Sequence, residues 1–406
     1  MKKILLLTSH FSEQDSVTSI TKNIILGYKQ LTNVKVKILA IEDYSTLKNK
    51  KLTYDFIIIV HPYVMLANEL KSIITLPSLK EITFIFYVFG DLVRKSGQLI
   101  NLEESLLDKK VHFITASHSY KSMMKKCIKN SKEVSLVPFP LNQKTFYYNL
   151  PARMKFRKEH KLVPTDKALI YTGRLSSQKN IDYLIKTYSQ VKSKYKSVKL
   201  FIYGNIDEFD APTFYERKYA PGDYFNQLKK ALSEIPANDI VFSPRVNHKK
   251  LNEAYNGCDL FVSLSLYHDE DFGYSPLEAL CSGTPVWVTS WGGYRDLNID
   301  KKSLNTVNYV KVNFKEDGLE IDDNNCESSL LNALKKAKRS SQTSKSYRRH
   351  YSIETISASY SKTLSRKTTI FTGFTPEFVN LSLSMYMNQK VDLKLYQNFY
   401  QSFWKN

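Results

Sequence analysis

Short apolar runs alternate with longer amphipathic or polar stretches along most of this 406-residue chain. In the first part the runs are Ile4–Leu7, Val34–Ile38, Phe56–Val60, Thr83–Val88, Phe113–Thr115 and Val134–Pro138. A second series follows at Ala168–Tyr171, Val198–Tyr203, Ile240–Phe242, Leu260–Leu264, Pro285–Thr289 and Val307–Val312. Runs this short, continuously apolar and rich in β-branched and aromatic residues read as strands of parallel sheets buried on both faces, with helices between them. Two such series in succession predict an α/β chain with two facing Rossmann-like domains. The polar region 142–165, with Pro151 and Pro164, reads as the linker. We therefore expect a first domain over 1–155, a second over 156–345, and a helical tail over 346–406 packing back on the body. Ligands of open α/β sheets sit beyond the carboxyl ends of the strands, so the cleft between the domains is the expected site.

The tail is the most aromatic part of the chain, with Phe371, Phe374, Phe378, Tyr386, Tyr396, Phe399, Tyr400, Phe403 and Trp404. Packing on the body is the expectation; a membrane or partner contact is the alternative.

Composition narrows the class. Cys127, Cys258, Cys281 and Cys326 lie far apart with no CxxC pair, which argues against a zinc site or a disulfide framework and for a reducing compartment. The start, Met1-Lys2-Lys3 followed by Ile4–Leu7, turns polar at Thr8, too soon for a secretory signal, and reads as a strand. No apolar run approaches the ~20 residues of a membrane span. The expected location is cytoplasmic. A net charge of +20 is spread over the chain, with 21 Lys/Arg against 12 Asp/Glu in residues 1–150. Such a field favours polyanions: nucleic acid, an anionic membrane face or phosphorylated substrates.

Chemistry concentrates in the second series. Glu270-Asp271-Phe272-Gly273-Tyr274-Ser275-Pro276-Leu277-Glu278 follows one predicted strand, and a short helix leads to the next. Ser275 reads as its N-cap, Pro276 as its first position and Gly283 as its stop. The N-terminus of such a helix can hold a diphosphate on its backbone N–H groups without a metal. Glu270 and Glu278 can accept hydrogen bonds from two sets of hydroxyls; on spacing alone, a solvated loop acid and a helix-dipole acid is an equal reading. In Gly173-Arg174-Leu175-Ser176-Ser177-Gln178-Lys179 a strand ends in glycine and two cations follow. The planar Arg174 fork and the Lys179 point charge suit a diphosphate leaving group, although basic surface loops are common in this chain. Gly204, at the end of the strand Val198–Tyr203, and the pair Gly292-Gly293 place permissive backbone at the same sheet edge.

In combination these motifs resemble the nucleotide-binding domain of the glycosyltransferase family 4 enzymes, which have the GT-B fold. The resemblance covers 168–300 and rests on GR-x4-K (Gly173, Arg174, Lys179), E-x7-E (Glu270, Glu278), A-x3-G-x-P-V (Ala279, Gly283, Pro285, Val286) and the Gly292-Gly293 pair. The stretch Pro244-Arg245-Val246 resembles the family's segment beside the donor base. The resemblance implies retaining transfer from a nucleotide diphosphate sugar, a UDP-sugar above all, with no obligatory metal and no cofactor beyond that substrate. Arg174 and Lys179 would neutralise the departing diphosphate, Glu278 would bind the ribose, and Glu270 would hold the donor sugar. Backbone amides of Phe272, Gly273, Tyr274 and Ser275 would complete the cradle. The acceptor implied is a glycan, glycolipid or lipid-linked sugar of cell-surface polysaccharide synthesis. A protein or small-molecule glycosyltransferase of the same fold is the alternative, followed by a sugar-nucleotide epimerase.

The first half departs from the family. Its opening loop, Thr8–Gln14, lacks the usual glycine pair, and Tyr87-Val88-Phe89-Gly90-Asp91 stands where many members carry a histidine. Asp91 is the candidate for that contact, with His118 as the alternative. The segment Lys121–Lys132 reads as a basic amphipathic helix, with Lys121, Lys125, Lys129 and Lys132 on one stripe and Met124 and Ile128 on another. That stripe would suit an anionic membrane surface; a plain solvated face is the alternative. A dehydrogenase would require G-x-G-x-x-G after the first strand, which is absent, and nothing beyond charge suggests a nucleic-acid partner.

Overall fold

The computed structural model describes residues 1–9, 16–47, 53–60, 67–79, 81–90, 92–93, 95–206, 223–233, 235–236, 239–299, 306–315, 318–386 and 393–404. It divides into two compact units, one made of 1–142 with 351–406 and the other of 143–350.

The first unit holds a parallel sheet of β1 (Lys2–Thr8), β2 (Val34–Ala40), β3 (Phe56–Val60), β4 (Thr83–Tyr87), β5 (Lys110–Thr115) and β6 (Val134–Leu136), in the order β2-β1-β3-β4-β5-β6. Ile4–Leu7 and Ile57–Val60 are buried throughout, as apolar runs covered on both faces must be. Helices α1 (Ser16–Lys29), α2 (Ala67–Ile74), α3 (Ser96–Ile100), α4 (Glu103–Leu106) and α5 (His118–Cys127) lie between the strands in sequence.

The second unit opens with α6 (Leu150–Glu159), inside the region expected to be linker. Asn149 caps this helix by accepting from the Ala152 amide at 3.0 Å, and Pro151 sits in its first turn, where a missing N–H costs nothing. The Arg153 guanidinium reaches the Asp259 carboxylate at 2.7 Å and the Gly257 carbonyl at 2.9 Å. Residues 143–155 therefore belong to the second unit, which corrects the expected boundary at 155.

Its sheet is also parallel, built from β7 (Lys167–Thr172), β8 (Val198–Tyr203), β9 (Ile240–Ser243), β10 (Leu260–Ser263), β11 (Val286–Thr289) and β12 (Val307–Val310), in the order β12-β11-β10-β7-β8-β9. Helices α7 (Ile181–Lys194), α8 (Asp223–Ser233), α9 (His248–Gly257) and α10 (Tyr274–Cys281) connect successive strands. The run expected to be one strand over 307–312 ends at Val310; Val312–Lys315 instead starts an antiparallel hairpin, β13, with β14 (Gly318–Ile321). Helices α11 (Asp323–Lys336) and α12 (Ser341–His350) close the unit, and the Ser344 hydroxyl donates to the Cys281 carbonyl at 2.5 Å. Beyond 345, the Tyr347 hydroxyl donates to the Leu297 carbonyl at 2.6 Å and the Arg348 guanidinium to the Gln143 carbonyl at 2.9 Å, so the unit ends at 350 and not at the expected 345.

The remaining chain returns to the first unit through α13 (Ile353–Leu364), α14 (Pro376–Tyr386) and α15 (Leu393–Trp404). Tyr360 stacks on Tyr28 with ring centroids 4.3 Å apart. Residues 369–375 run along the first unit: Phe371 N–H donates to the Lys109 carbonyl at 2.8 Å, and Phe374 N–H to the Glu103 carboxylate at 2.7 Å. Glu133, buried and bonded to His112 at 3.0 Å, accepts from the Thr369 amide and hydroxyl. Phe371, Phe374, Phe378, Tyr396, Phe399, Tyr400 and Phe403 are all buried. The tail thus packs as the sequence suggests, and these rings are not free for a membrane.

The basic helix is also corrected. It ends at Cys127, and Ile128 instead bridges to Phe374. Met123, Met124 and Ile128 are buried, and α15 packs on α5 through reciprocal 2.9 Å bonds between Ser119 and Ser402. Only its lysine side remains for solvent. Among the described residues, no helix is long and apolar enough to cross a membrane.

Candidate active site

Two loops leave the carboxyl ends of β7 and β10, neighbours that pair at Leu169↔Leu260 and Ile170↔Phe261. Strand order reverses between these two strands, the place where ligand crevices form in open α/β sheets.

The β7 loop carries Gly173 and Arg174 outward from the sheet, and the Tyr171 hydroxyl donates to the Arg174 carbonyl at 2.8 Å. Leu175 N–H donates to the Asn205 carbonyl at 2.9 Å, tying this loop to the end of β8. A Cβ on Gly204 would overlap the Gly173 carbonyl oxygen, so Gly204 is required by the approach of the two loops. A 3-10 turn over Ser177–Lys179 then delivers Lys179 to the edge. Asn180 follows with φ 51° and anchors the turn by donating its side-chain amide to the Leu264 carbonyl at 2.9 Å.

The β10 loop meets it. Lys179 Nζ lies 2.7 Å from Glu270 Oε2, and the Ser265 hydroxyl donates to the same oxygen at 2.9 Å. Both charged side chains are mostly buried, Lys179 at 15% exposure and Glu270 at 10%. The Tyr267 ring offers its face to two cations, with Lys179 Nζ at 4.8 Å and Arg174 Cζ at 5.9 Å from its centroid. Its carbonyl accepts from the Glu270 amide at 3.0 Å and the Trp291 indole at 2.8 Å. From the glycine pair, Gly293 N–H donates to the Glu270 carbonyl at 2.6 Å. Behind Glu270, His268 Nε2 and Asp269 Oδ2 lie 3.3 Å apart, both completely buried.

Helix α10 starts one turn later than this pair, and not as expected. Its N-cap is Gly273, at φ 86° and ψ 60°, so Ser275 lies inside the helix and Pro276 occupies its third position. Only glycine tolerates that backbone cheaply, and a Cβ there would also come within 2.6 Å of the Tyr294 ring. The cap carries no side chain to accept from the first-turn N–H groups, which are those of Tyr274 and Ser275 because Pro276 has none. Gly283 follows the helix at φ 79°, the expected stop.

Glu278 occupies the second turn. Its carboxyl accepts from the Tyr255 hydroxyl at 3.0 Å, and that hydroxyl lies 2.7 Å from Thr172 Oγ1 at the end of β7. Burial pushes the Glu278 carboxyl up to about 8, against the opposing pull of the Tyr255 bond and the Arg245 charge. Arg245 is exposed beyond β9, its N–H donating to Asn205 Oδ1 at 3.1 Å; Val246 is half-buried beside it, before the Asn247 cap of α9.

Of the predicted residues, Gly173, Arg174, Lys179, Glu270, Phe272, Gly273, Tyr274, Ser275 and Glu278 thus stand on two adjoining loops and the helix between β10 and β11, with Arg245 acting on Glu278. Gly204 supports the first loop. Asp91 lies outside the described residues, and His118 is exposed at the start of α5 in the first unit. Sequence reading passed over Thr172, Ser265, Tyr267 and Tyr294. Hydroxyl residues at the carboxyl ends of otherwise apolar strands, such as Thr172 and Ser265, were a usable signal.

The model of the family described as Glycosyl transferases group 1 matches residues 152–342. That segment, just under half of the chain, is similar to the group 1 glycosyl transferases. An uncharacterized glycosyltransferase of Methanocaldococcus jannaschii is 31% identical over 145 residues, 36% of this chain and 33% of that protein. Mannosylfructose-phosphate synthase of Agrobacterium fabrum is 31% identical over 143 residues, 34% of this chain and 29% of that protein. The match thus spans about a third of the length of these relatives. Among solved structures, Anabaena HepE in complex with UDP-glucose is similar at a TM-score of 0.64 and 14% identity, over 90% of this chain and 100% of that one. WaaG, a glycosyltransferase involved in lipopolysaccharide biosynthesis, is similar at 0.61 and 12%, over 90% of this chain and 100% of that one. At such identities the likeness shows the fold, and that fold is GT-B.

Proposed function

We propose that this chain is a retaining glycosyltransferase that moves a sugar from a nucleotide diphosphate sugar, a UDP-sugar, to a glycan, glycolipid or lipid-linked acceptor, without an obligatory metal. The observation that carries this reading is the meeting of Arg174, Lys179 and Glu270 beside the α10 N-terminus at the sheet's reversal point. Two cations and a helix terminus supply positive potential where a diphosphate leaving group develops charge, the kind of preorganised stabilisation that contributes most to catalysis. In this reading Glu278, in the second turn of α10, binds the ribose and Glu270 the donor sugar. HepE bound to UDP-glucose supports a uridine donor. Relatives that include an alpha-monoglucosyldiacylglycerol synthase of Streptococcus pneumoniae and a lipopolysaccharide N-acetylglucosaminetransferase of Salmonella typhimurium support a lipid-linked or cell-surface acceptor. Contact with an anionic membrane would then be electrostatic, through the lysine side of α5, since the apolar side is covered.

Thermal shift with UDP, GDP, ADP, NAD and an RNA oligomer, in chelator, tests the reading. Stabilisation by UDP or GDP that disappears in Arg174→Ala is the expected result. Stabilisation by NAD or RNA alone, or by none of the panel, overturns it.

A further inference from the structure

The two groups assigned to different parts of the donor are bound to each other. Lys179 would serve the diphosphate and Glu270 the sugar, yet Lys179 Nζ sits on Glu270 Oε2 at 2.7 Å. Both side chains are mostly out of water, so a partner lost by either is not replaced cheaply by solvent. Tyr267 keeps the ammonium at this spot through its ring face, while Ser265 keeps the carboxylate there through its hydroxyl.

A nucleoside diphosphate entering this site brings negative charge close to Glu270 and competes with it for Lys179. Nothing on the free nucleotide replaces what the carboxylate gives up. An intact sugar nucleotide differs in one respect: its sugar hydroxyls can donate to Glu270 while its phosphates take Lys179. We propose that the Lys179–Glu270 pair selects the intact donor over the free nucleoside diphosphate. After transfer the sugar is gone, Glu270 reclaims Lys179, and the nucleotide product is released. This inference rests on the donor-site reading above and adds the sign of one substitution to it. Removing the Glu270 charge should strengthen the binding of free nucleotide, whereas a residue that serves only to contact the sugar would leave that binding unchanged.

Calorimetric titration of the full chain with UDP tests it, in Glu270→Gln, Lys179→Met and the double variant. Glu270→Gln should bind UDP about tenfold more tightly than the unaltered chain, the ordinary size of one charge-assisted contact. Lys179→Met should bind it at least about tenfold more weakly, and adding Glu270→Gln to it should recover part of that loss by removing repulsion alone. Glu270→Asp, which draws the carboxylate back by one methylene, gives a smaller tightening of about threefold and serves if the glutamine variant folds poorly. UDP affinity equal to or weaker than that of the unaltered chain in both Glu270 variants overturns the inference while leaving the donor-site reading intact. An unaltered chain that binds neither UDP nor GDP overturns both.

Discussion

The two units share an architecture and differ in what completes them. Each has a parallel six-stranded sheet whose order reverses between two inner strands, β1 and β3 in one and β7 and β10 in the other. In the second unit the loops at that reversal are constrained residue by residue: Gly204 by the Gly173 backbone, Gly273 by its left-handed cap, Lys179 and Glu270 by each other. In the first unit the loops at the reversal lie outside the described residues. Its distinctive feature is remote: the last 56 residues of the chain complete its core. A sheet that only has to be covered accepts many sequences, including segments from far along the chain. Loops that must approach one another this closely accept few.

The largest effect should come from cutting that remote support. A chain ending at residue 368 loses Phe371, Phe374, Phe378, Phe399, Tyr400 and Phe403, all buried on the first unit. At roughly 2 kcal/mol for each buried aromatic, the loss rivals the whole stability of an ordinary domain. Such a chain should be insoluble, or should lose cooperative unfolding of the first unit in calorimetry. A soluble truncated chain that melts as the full chain does would show that the tail is an accessory, not part of the core.

Next comes the second unit's own chemistry. Arg174→Ala removes an exposed side chain, so the melting temperature of the ligand-free protein should stay within a degree or two. Transfer should nevertheless fall by about 100-fold, the usual scale for one preorganised charge at a leaving group. An equal loss of stability and activity would mean that Arg174 supports the fold instead.

This contrast explains what could be read from sequence. All twelve strands of the two sheets were legible, because a strand covered on both faces must be apolar throughout and the runs are short. Motif spacing marked the loops that follow β7 and β10, whose glycines and charged residues the structure constrains. What could not be read was long-range. Nothing local in 369–375 announces that Phe374 N–H will find Glu103, and nothing in 142–155 announces that Arg153 will bind Asp259. The N-cap at Gly273 was missed because serine before proline is the commoner helix start; here Tyr294 and the preceding loop enforce the left-handed residue. The Lys179–Glu270 pair was invisible for another reason: the two residues were assigned to separate ligand groups and were not expected to meet.

A moderate effect should follow pH through Glu278. Its carboxyl stands at about 8 in the folded chain, above its ordinary value of 4.5. A raised acid contributes stability that is complete below its unfolded value and is lost as pH rises through the folded one, so the ligand-free chain should weaken between pH 5 and about 8. Ribose hydroxyls donate to the ionised form, so donor binding should release a proton and tighten with pH by at most about tenfold per unit, up to about 8. Glu278→Gln should flatten both profiles, and comparison with it cancels the ligand's own titration. Calorimetry in buffers of different ionisation enthalpy reads the proton count; no release at pH 6.5 in the unaltered chain would assign the ribose to another residue.

The smallest effect isolates the hydroxyl behind that carboxyl. Tyr255→Phe keeps a buried ring in contact with Phe146 and Phe261 but removes the oxygen shared by Thr172 and Glu278. A neutral hydrogen bond contributes about 1 kcal/mol, so the fold should survive with a slightly lower melting temperature. Because the Tyr255 bond holds Glu278 down, its removal should raise that carboxyl further. UDP affinity should therefore drop by about threefold at pH 7 and recover in more alkaline buffer, as the carboxyl ionises without help. A loss that persists unchanged at pH 9 would show that Tyr255 acts on the nucleotide by shape alone, and that Thr172, Tyr255 and Glu278 do not titrate as one hydrogen-bonded chain.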